Sequence, residues 1–241
     1  MSILKIKDTI NRKLLFNIFL ESMSKLTQAQ ITEAINTILK EKKQRKFVET
    51  IEMQIGLKDY DPQKDKRFAG TVRLPHVPRP KLKICLIADA KHQEEAKALN
   101  LGADVDVVDL DSLKKFNKEK KPIKNWAKKY SVLLATDSLV KKIPTVLGPV
   151  LNRIGMFPQV VSHNENLKVK IDDTRASVKF QLKKVTCMAV AIGNEKMTEE
   201  EIRQNILLGL NFLVSLLKKG WHNLKSVHIK TTMGKPYKLI G

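Results

Sequence analysis

The chain has 241 residues, 42% hydrophobic and 29% charged, enough for one large or two small folded domains and too apolar for intrinsic disorder. Its 45 Lys+Arg against 25 Asp+Glu give a net charge of +20, a field that attracts polyanions, nucleic acid first and anionic membrane second. The charge is spread over folded-looking sequence, with net +7, +6 and +7 in residues 1–80, 81–157 and 158–241, unlike the blocks of a disordered basic arm. The two cysteines, Cys85 and Cys187, are too few for a disulfide scaffold and sit in apolar runs, so both read as core filler in a reducing compartment.

Residues 1–22 hold a short apolar run, LLFNIFL, that faintly resembles a signal peptide but is at the lower length limit and is not followed by an Ala-x-Ala cleavage site. A transit peptide is a second reading. The preferred one takes Met23 as a second start and residues 1–22 as an atypical extension, which N-terminal mass spectrometry of the native protein tests. In TQAQITEAINTILK, Thr27 and Gln30 form a T-x-x-Q capping box, and Ile31, Ala34, Ile35, Ile38 and Leu39 repeat at helical spacing. After the basic stretch KEKKQRK, the run FVETIEMQIGL alternates: Phe47, Ile51, Met53, Ile55 and Leu57 share one parity, Val48, Thr50, Glu52 and Gln54 the other, as in a half-buried strand. GTVRL is a second short strand, and LPHVPRP, rich in proline, is a linker.

From Lys81 the pattern changes. KICLIAD is a continuous apolar run, as in a strand buried on both faces. It is followed by helical HQEEAKALN stopping at Gly102, strand VDVVDL, helical DSLKKF and KNWAKKY, strand SVLLATD, and broken helix through LVKKIPTVLGPVLNRIG to GMFP. Alternating strand and helix predicts an α/β sheet. Beyond residue 157 the first style returns: LKVKIDD, SVKFQLKK and TCMAVAIG read as strands. A helix over 198–219 has the capping box Thr198/Glu201, the stripe Ile202, Ile206, Leu210, Leu213 and Leu217, Lys218 and Lys219 at its end, and Gly220 as terminator. LKSVHIKTTMG is a last strand running into a tight turn. The expected architecture is α/β in two domains: a discontinuous α+β domain from 23–80 and 158–241, with an α/β (Rossmann-like) domain, 81–157, inserted and hinged through the linkers near LPHVPRP and GMFPQ.

Motifs for catalysis are not found. The first strand–helix turn of the inserted domain, ADAKHQEE, has no glycine to let a pyrophosphate approach, and GPVLNRIG lacks the Gly-Lys-Ser/Thr end of a P-loop. Asp104, Asp106, Asp109 and Asp111 do not have calcium-loop spacing and read as solvated strand positions. The five histidines, His76, His92, His163, His222 and His228, have no metal-ligand spacing and read as loop, surface or sheet residues. No cofactor, small-molecule substrate or membrane span is implied.

Three stretches suit RNA, each weighed against a plain structural role. Lys42, Lys43, Arg45, Lys46 and Phe47 put cations beside an aromatic that can stack, the alternative being a solvated run with Phe47 entering the core. Lys183, Lys184 and Thr186 lie at a strand end, the alternative being an exposed strand terminus. Thr231-Thr232-Met233-Gly234-Lys235-Pro236 offers hydroxyls and backbone N–H groups to 2′-hydroxyls and phosphates, the alternative being a plain terminal turn.

KFVETIEMQIGLKDYDPQKDKRFAGTVRL, GPVLNRIGMFP, FLVSLLKKGW and IKTTMGKP together resemble the signatures of the ribosomal protein L-one family, called L-ten-a in eukaryotes, over residues 23–241. The resemblance implies a non-enzymatic constituent of the large ribosomal subunit that binds the mobile ribosomal RNA stalk beside the tRNA exit site and assists release of deacylated tRNA. It implies a cytoplasmic ribosome assembled in the nucleolus. Binding of the protein's own messenger RNA is left open. The family's RNA-contacting positions fall here on Lys46, Phe47, Thr50, Glu52, Lys184, Thr186, Thr232, Met233 and Gly234, with Thr231 taken alongside them. Met156 stands where the family's middle signature usually has Lys, which weakens a phosphate role for that loop. The runner-up reading is a ribosome-assembly factor of the same fold, and a third is a nucleotide-using α/β enzyme.

Overall fold

A computed structural model describes residues 27–41, 43, 45–65, 67–99 and 104–241; the proposed extension 1–22, Lys42 and Gly102 lie outside the described residues. In chain order the elements begin with α1 (Gln28–Lys40), β1 (Thr50–Leu57), β2 (Ala69–Arg73), β3 (Ile84–Ile87), α2 (Ala90–Ala98), β4 (Val105–Val108), α3 (Leu110–Lys114), α4 (Lys120–Ala127) and β5 (Val132–Thr136). Then follow α5 (Asp137–Val140), α6 (Ile143–Leu147), α7 (Val150–Ile154), β6 (Gln159–Val161), α8 (Leu167–Ala176), β7 (Ser177–Gln181), β8 (Cys187–Asn194), α9 (Glu199–Leu216), a 3-10 turn (Gly220–Asn223), β9 (Leu224–Thr231) and β10 (Tyr237–Ile240). They fall into two compact units, one from the chain up to Pro78 with Val178–Gly241, the other Arg79–Ser177.

In the first unit the alternation read in β1 decides which face is buried. Ile51, Met53, Ile55 and Leu57 are buried and the intervening residues only partly so. The antiparallel sheet runs β10-β9-β1-β8, with β1 central between β9 and β8. Its apolar face, completed by Val190, Ile192, Val227 and Ile229, shares one core with Ile31 and Ile35 of α1 and with the α9 stripe Ile202, Ile206, Leu210 and Leu213. At the start of α9, Thr198 Oγ1 accepts from Glu201 N–H (3.4 Å) and the Glu201 carboxylate accepts from Thr198 N–H (2.9 Å), as its capping box requires. β2 and β7 form a separate two-stranded sheet.

The second unit is a parallel sheet, β4-β3-β5-β6. Every residue of β3 is buried, as its unbroken apolar run requires when both faces are covered. One core holds Cys85, Ile87, Leu133 and Ala135 against Ile123, Ala127 and Leu147, and another holds Ile84, Leu86 and Leu134 against Leu167 and Ile171.

Five expectations change. LKVKIDD is not a strand but the start of α8: Asn166 caps it by accepting from Lys168 N–H (3.0 Å), and Leu167, Ile171 and Thr174 form its buried stripe. Val169, which makes the run look alternating, is exposed. The division near 157 moves to 177/178, because β6 pairs with β5 and Val161, Leu167 and Ile171 fill the second unit's core. The last long helix ends at Leu216, not at Lys219. There the buried Asn223 side chain accepts from Lys219 N–H (2.8 Å) and donates to Lys58 O (3.1 Å), which draws the chain out of the helix, and Gly220 (φ +53) starts the 3-10 turn. Cys85 is buried, its thiol pushed up to about 12 mainly by desolvation, but Cys187 is exposed because it has the outward parity of β8. His92 is neither loop, surface nor sheet: it is buried on α2, its Nδ1 is 3.1 Å from Thr136 Oγ1, and its ring stacks on His163 at 5.1 Å. Strands β6 and β10 are additions to the elements expected from the sequence.

Candidate nucleic-acid interface

β1 and β9 are antiparallel neighbours with Ile51 opposite Thr231. This register brings the two ends of the chain together, although 182 residues separate Thr50 from Thr232. The Thr50 N–H donates to Thr232 Oγ1 (3.1 Å), and the Thr232 hydroxyl lies 3.3 Å from Thr50 O. Because both partners of that hydroxyl are backbone atoms of Thr50, the turn 231–234 is held to the start of β1. Met233 stands at its tip, 61% exposed, a large apolar side chain turned mostly to solvent. Phe47, just before β1, is 50% exposed and does not enter the core, which leaves its ring open to stacking. Lys46 beside it is exposed.

Thr231 differs from its neighbours. It is buried, and its hydroxyl hydrogen-bonds the carboxylate of Glu49, so it anchors the turn instead of facing outward. Gly234 N–H donates to Thr231 O (3.3 Å). Gly234 is needed for closeness, not for a left-handed backbone: a Cβ there would overlap the Thr231 hydroxyl oxygen.

Glu49 is the residue that sequence reasoning missed. It continues the buried parity of β1, where a carboxylate costs free energy unless it is paired. Three groups pair it: the Arg45 guanidinium, the Thr231 hydroxyl and the Met233 backbone N–H. The Thr231 hydrogen bond leads in holding its carboxyl below the ordinary range, against the opposing effect of burial. A charged residue on the apolar parity was the available signal. Beside it is a cavity of about 590 Å³ lined by Ile38, Lys43, Arg45, Lys235 and Tyr237 among others.

The remaining site residues are not all gathered here. Glu52 lies on the open face of the sheet, 3.8 Å from Lys230 Nζ, with Gln54 Nε2 donating to its Oε1 (3.4 Å). Lys184 and Thr186 are at the other end of β1, where Leu57 N–H donates to Thr186 O (2.9 Å). At ~3.3 Å per residue that end is roughly 23 Å from Thr50. Between the two ends, the face without a helix presents Ser226, His228 and Lys230 of β9 and Lys238 of β10, paired across from Gly56, Gln54, Glu52 and His228 respectively. Reading the second parity of LKSVHIKTT would have found the β9 residues.

The family described as the ribosomal protein L1p/L10e family matches residues 39–235. The chain is 54% identical over 220 residues to a rice (Oryza sativa subsp. japonica) protein named large ribosomal subunit protein uL1, covering 90% of this chain and 100% of the relative. With the same coverage it is 56% identical to the Arabidopsis thaliana protein named uL1z and 54% identical to the one named uL1y. A match over this much of the chain, reached after a fold of one sheet closed by both termini, shows that the chain belongs to the ribosomal protein L1p/L10e family.

Proposed function

We propose that the chain is a structural, non-catalytic constituent of the large ribosomal subunit that binds the mobile ribosomal RNA stalk through the unit built from both termini. The observation that carries the reading is the lock between Thr50 and Thr232, which ties the turn carrying exposed Met233 to the start of β1, just after exposed Lys46 and Phe47. An exposed thioether side chain, a cation and an aromatic ring then converge on one end of a sheet, groups that meet RNA through its phosphates and unstacked bases. Relatives named large ribosomal subunit protein uL1 support the ribosomal assignment. On this reading Lys46, Phe47, Thr50, Thr232, Met233 and Gly234 form one RNA-contacting group, with Glu52 beside it on the open face, and Lys184 and Thr186 meet RNA at the far end of the sheet. The second unit faces deacylated tRNA at the exit site and assists its release. The protein acts in cytoplasmic ribosomes after nucleolar assembly.

Sucrose-gradient sedimentation of cell extract after a high-salt wash tests this. Residence on free large subunits and polysomes is expected. Restriction to nucleolar precursor particles would make the chain an assembly factor, and recovery only at the top of the gradient would refute a ribosomal role.

A further inference from the structure

The net positive charge of the second unit is concentrated in one segment. Arg79–Ser177 contains 19 basic and 12 acidic residues. Eight of the basic residues are lysines between 114 and 129, where the single acid is Glu119, and the rest of the unit has 11 of each sign. The unit is therefore neutral apart from this segment. All eight lysines are exposed, whereas the segment's large apolar residues Phe116, Ile123 and Trp126 pack into the core. Among the described residues only Lys114 of the eight forms an ion pair, with Asp111 at 2.6 Å.

The backbone accentuates the grouping. Between α3 and α4 the chain reverses through Asn117 (φ 46) and Lys118 (φ 61), two consecutive non-glycine residues in the left-handed region. Such a conformation is uncommon for side-chain-bearing residues and clusters at functional sites. Here it sets Lys114, Asn117 and Lys118 around a recess of about 380 Å³, with Thr145 of α6 on its wall.

We infer that this lysine face is a second RNA-binding surface, one that takes the phosphodiester backbone of double-stranded RNA without reading its sequence. It rests on the part of the proposed function that turns the second unit toward tRNA, and deepens it by naming the surface and the RNA feature that surface takes. The segment's eight lysines are point charges that suit phosphates, against two amides, Asn117 and Asn125, and no arginine to read bases bidentately. A membrane-surface helix would need large apolar side chains turned outward, and here they are turned inward. Lys118, Lys121 and Lys124 contact phosphates, and the Thr145 hydroxyl and Asn117 amide line the recess as neutral hydrogen-bonding groups.

The test uses the full-length protein and a short mixed-sequence RNA duplex unrelated to any stalk, with affinity followed by fluorescence anisotropy across a salt series. In the variant K118Q/K121Q/K124Q the slope of log affinity against log salt should fall by about 2.7, at roughly 0.9 for each phosphate no longer neutralised, with about tenfold weaker binding at low salt. The control K81Q/K83Q/K97Q removes equal charge elsewhere in the unit and should change little. Trp126 fluorescence and thermal unfolding verify that both variants fold. An unchanged slope, or equal effects from the two variants, would overturn the inference. So would phosphatidylserine vesicles binding more tightly than the duplex and losing affinity in the lysine variant, which would make the face a membrane contact. A stalk-RNA fragment measured in parallel separates the two readings: if the wild-type protein fails to bind it, the proposed function falls while the duplex result stands.

Discussion

Replacing Glu49 with Ala should loosen the turn that the proposed RNA site depends on. The side chain is 3% exposed and accepts from the Thr231 hydroxyl and the Met233 N–H while paired with Arg45. Without it, Thr231, itself 2% exposed, keeps a hydroxyl stranded from water, at a cost of about 1–3 kcal/mol. The Arg45 side chain, 30% exposed, can turn to solvent, so breaking this pair adds less than breaking a fully buried one. A total of about 2–4 kcal/mol corresponds to a fall in Tm of roughly 6–12 °C for a unit of this size. Trp126 lies in the second unit and Trp221 packs against the core of the first, so unfolding followed by fluorescence in a Trp126→Phe background reports the affected unit. Glu49→Gln keeps an acceptor for Thr231 and should lose less. The sign with pH follows from the lowered carboxyl: its contribution is complete above the unfolded value of 4.5 and disappears as pH falls through the lower folded value. Below pH 4.5 the parent should therefore lose stability more steeply than Glu49→Gln. Parent-like unfolding and RNA affinity in Glu49→Ala would refute the reasoning.

Three further outcomes are expected. Thr232→Ala combined with Met233→Ala should weaken binding to a stalk-RNA fragment by about 1–3 kcal/mol in a filter-binding assay, while surface lysine changes mainly flatten the salt dependence. Gly209→Ala should stabilise the first unit by about 0.5–1 kcal/mol in urea unfolding, because a Cβ there meets only Phe180 at 3.6 Å and Met53 at 4.0 Å, and alanine is the better helix former. Thr198→Ala should cost about 1 kcal/mol by the same assay through removal of the α9 cap.

Much of this molecule is written locally. The parity of β1, the stripe and capping box of α9, and the all-apolar β3 each depend on residues a few positions apart, so period and cap chemistry specify fold class, element types and the two-unit plan. Where two local periods compete, as in LKVKIDD, the sequence is ambiguous, and Asn166 with the second unit's core decides for helix. The three stretches proposed for RNA can be picked out along the chain, but their arrangement cannot. Antiparallel register alone sets the 231–234 turn against Thr50 and leaves Lys184 and Thr186 at the opposite end of the same strand. Glu49 shows the division most clearly. Its inward parity is a property of the sequence, whereas Thr231 and Met233, the groups that make a buried carboxylate tolerable there, arrive from the other end of the chain only when the sheet closes. Local patterns fix which side chains are buried; only long-range strand pairing fixes what they are buried against.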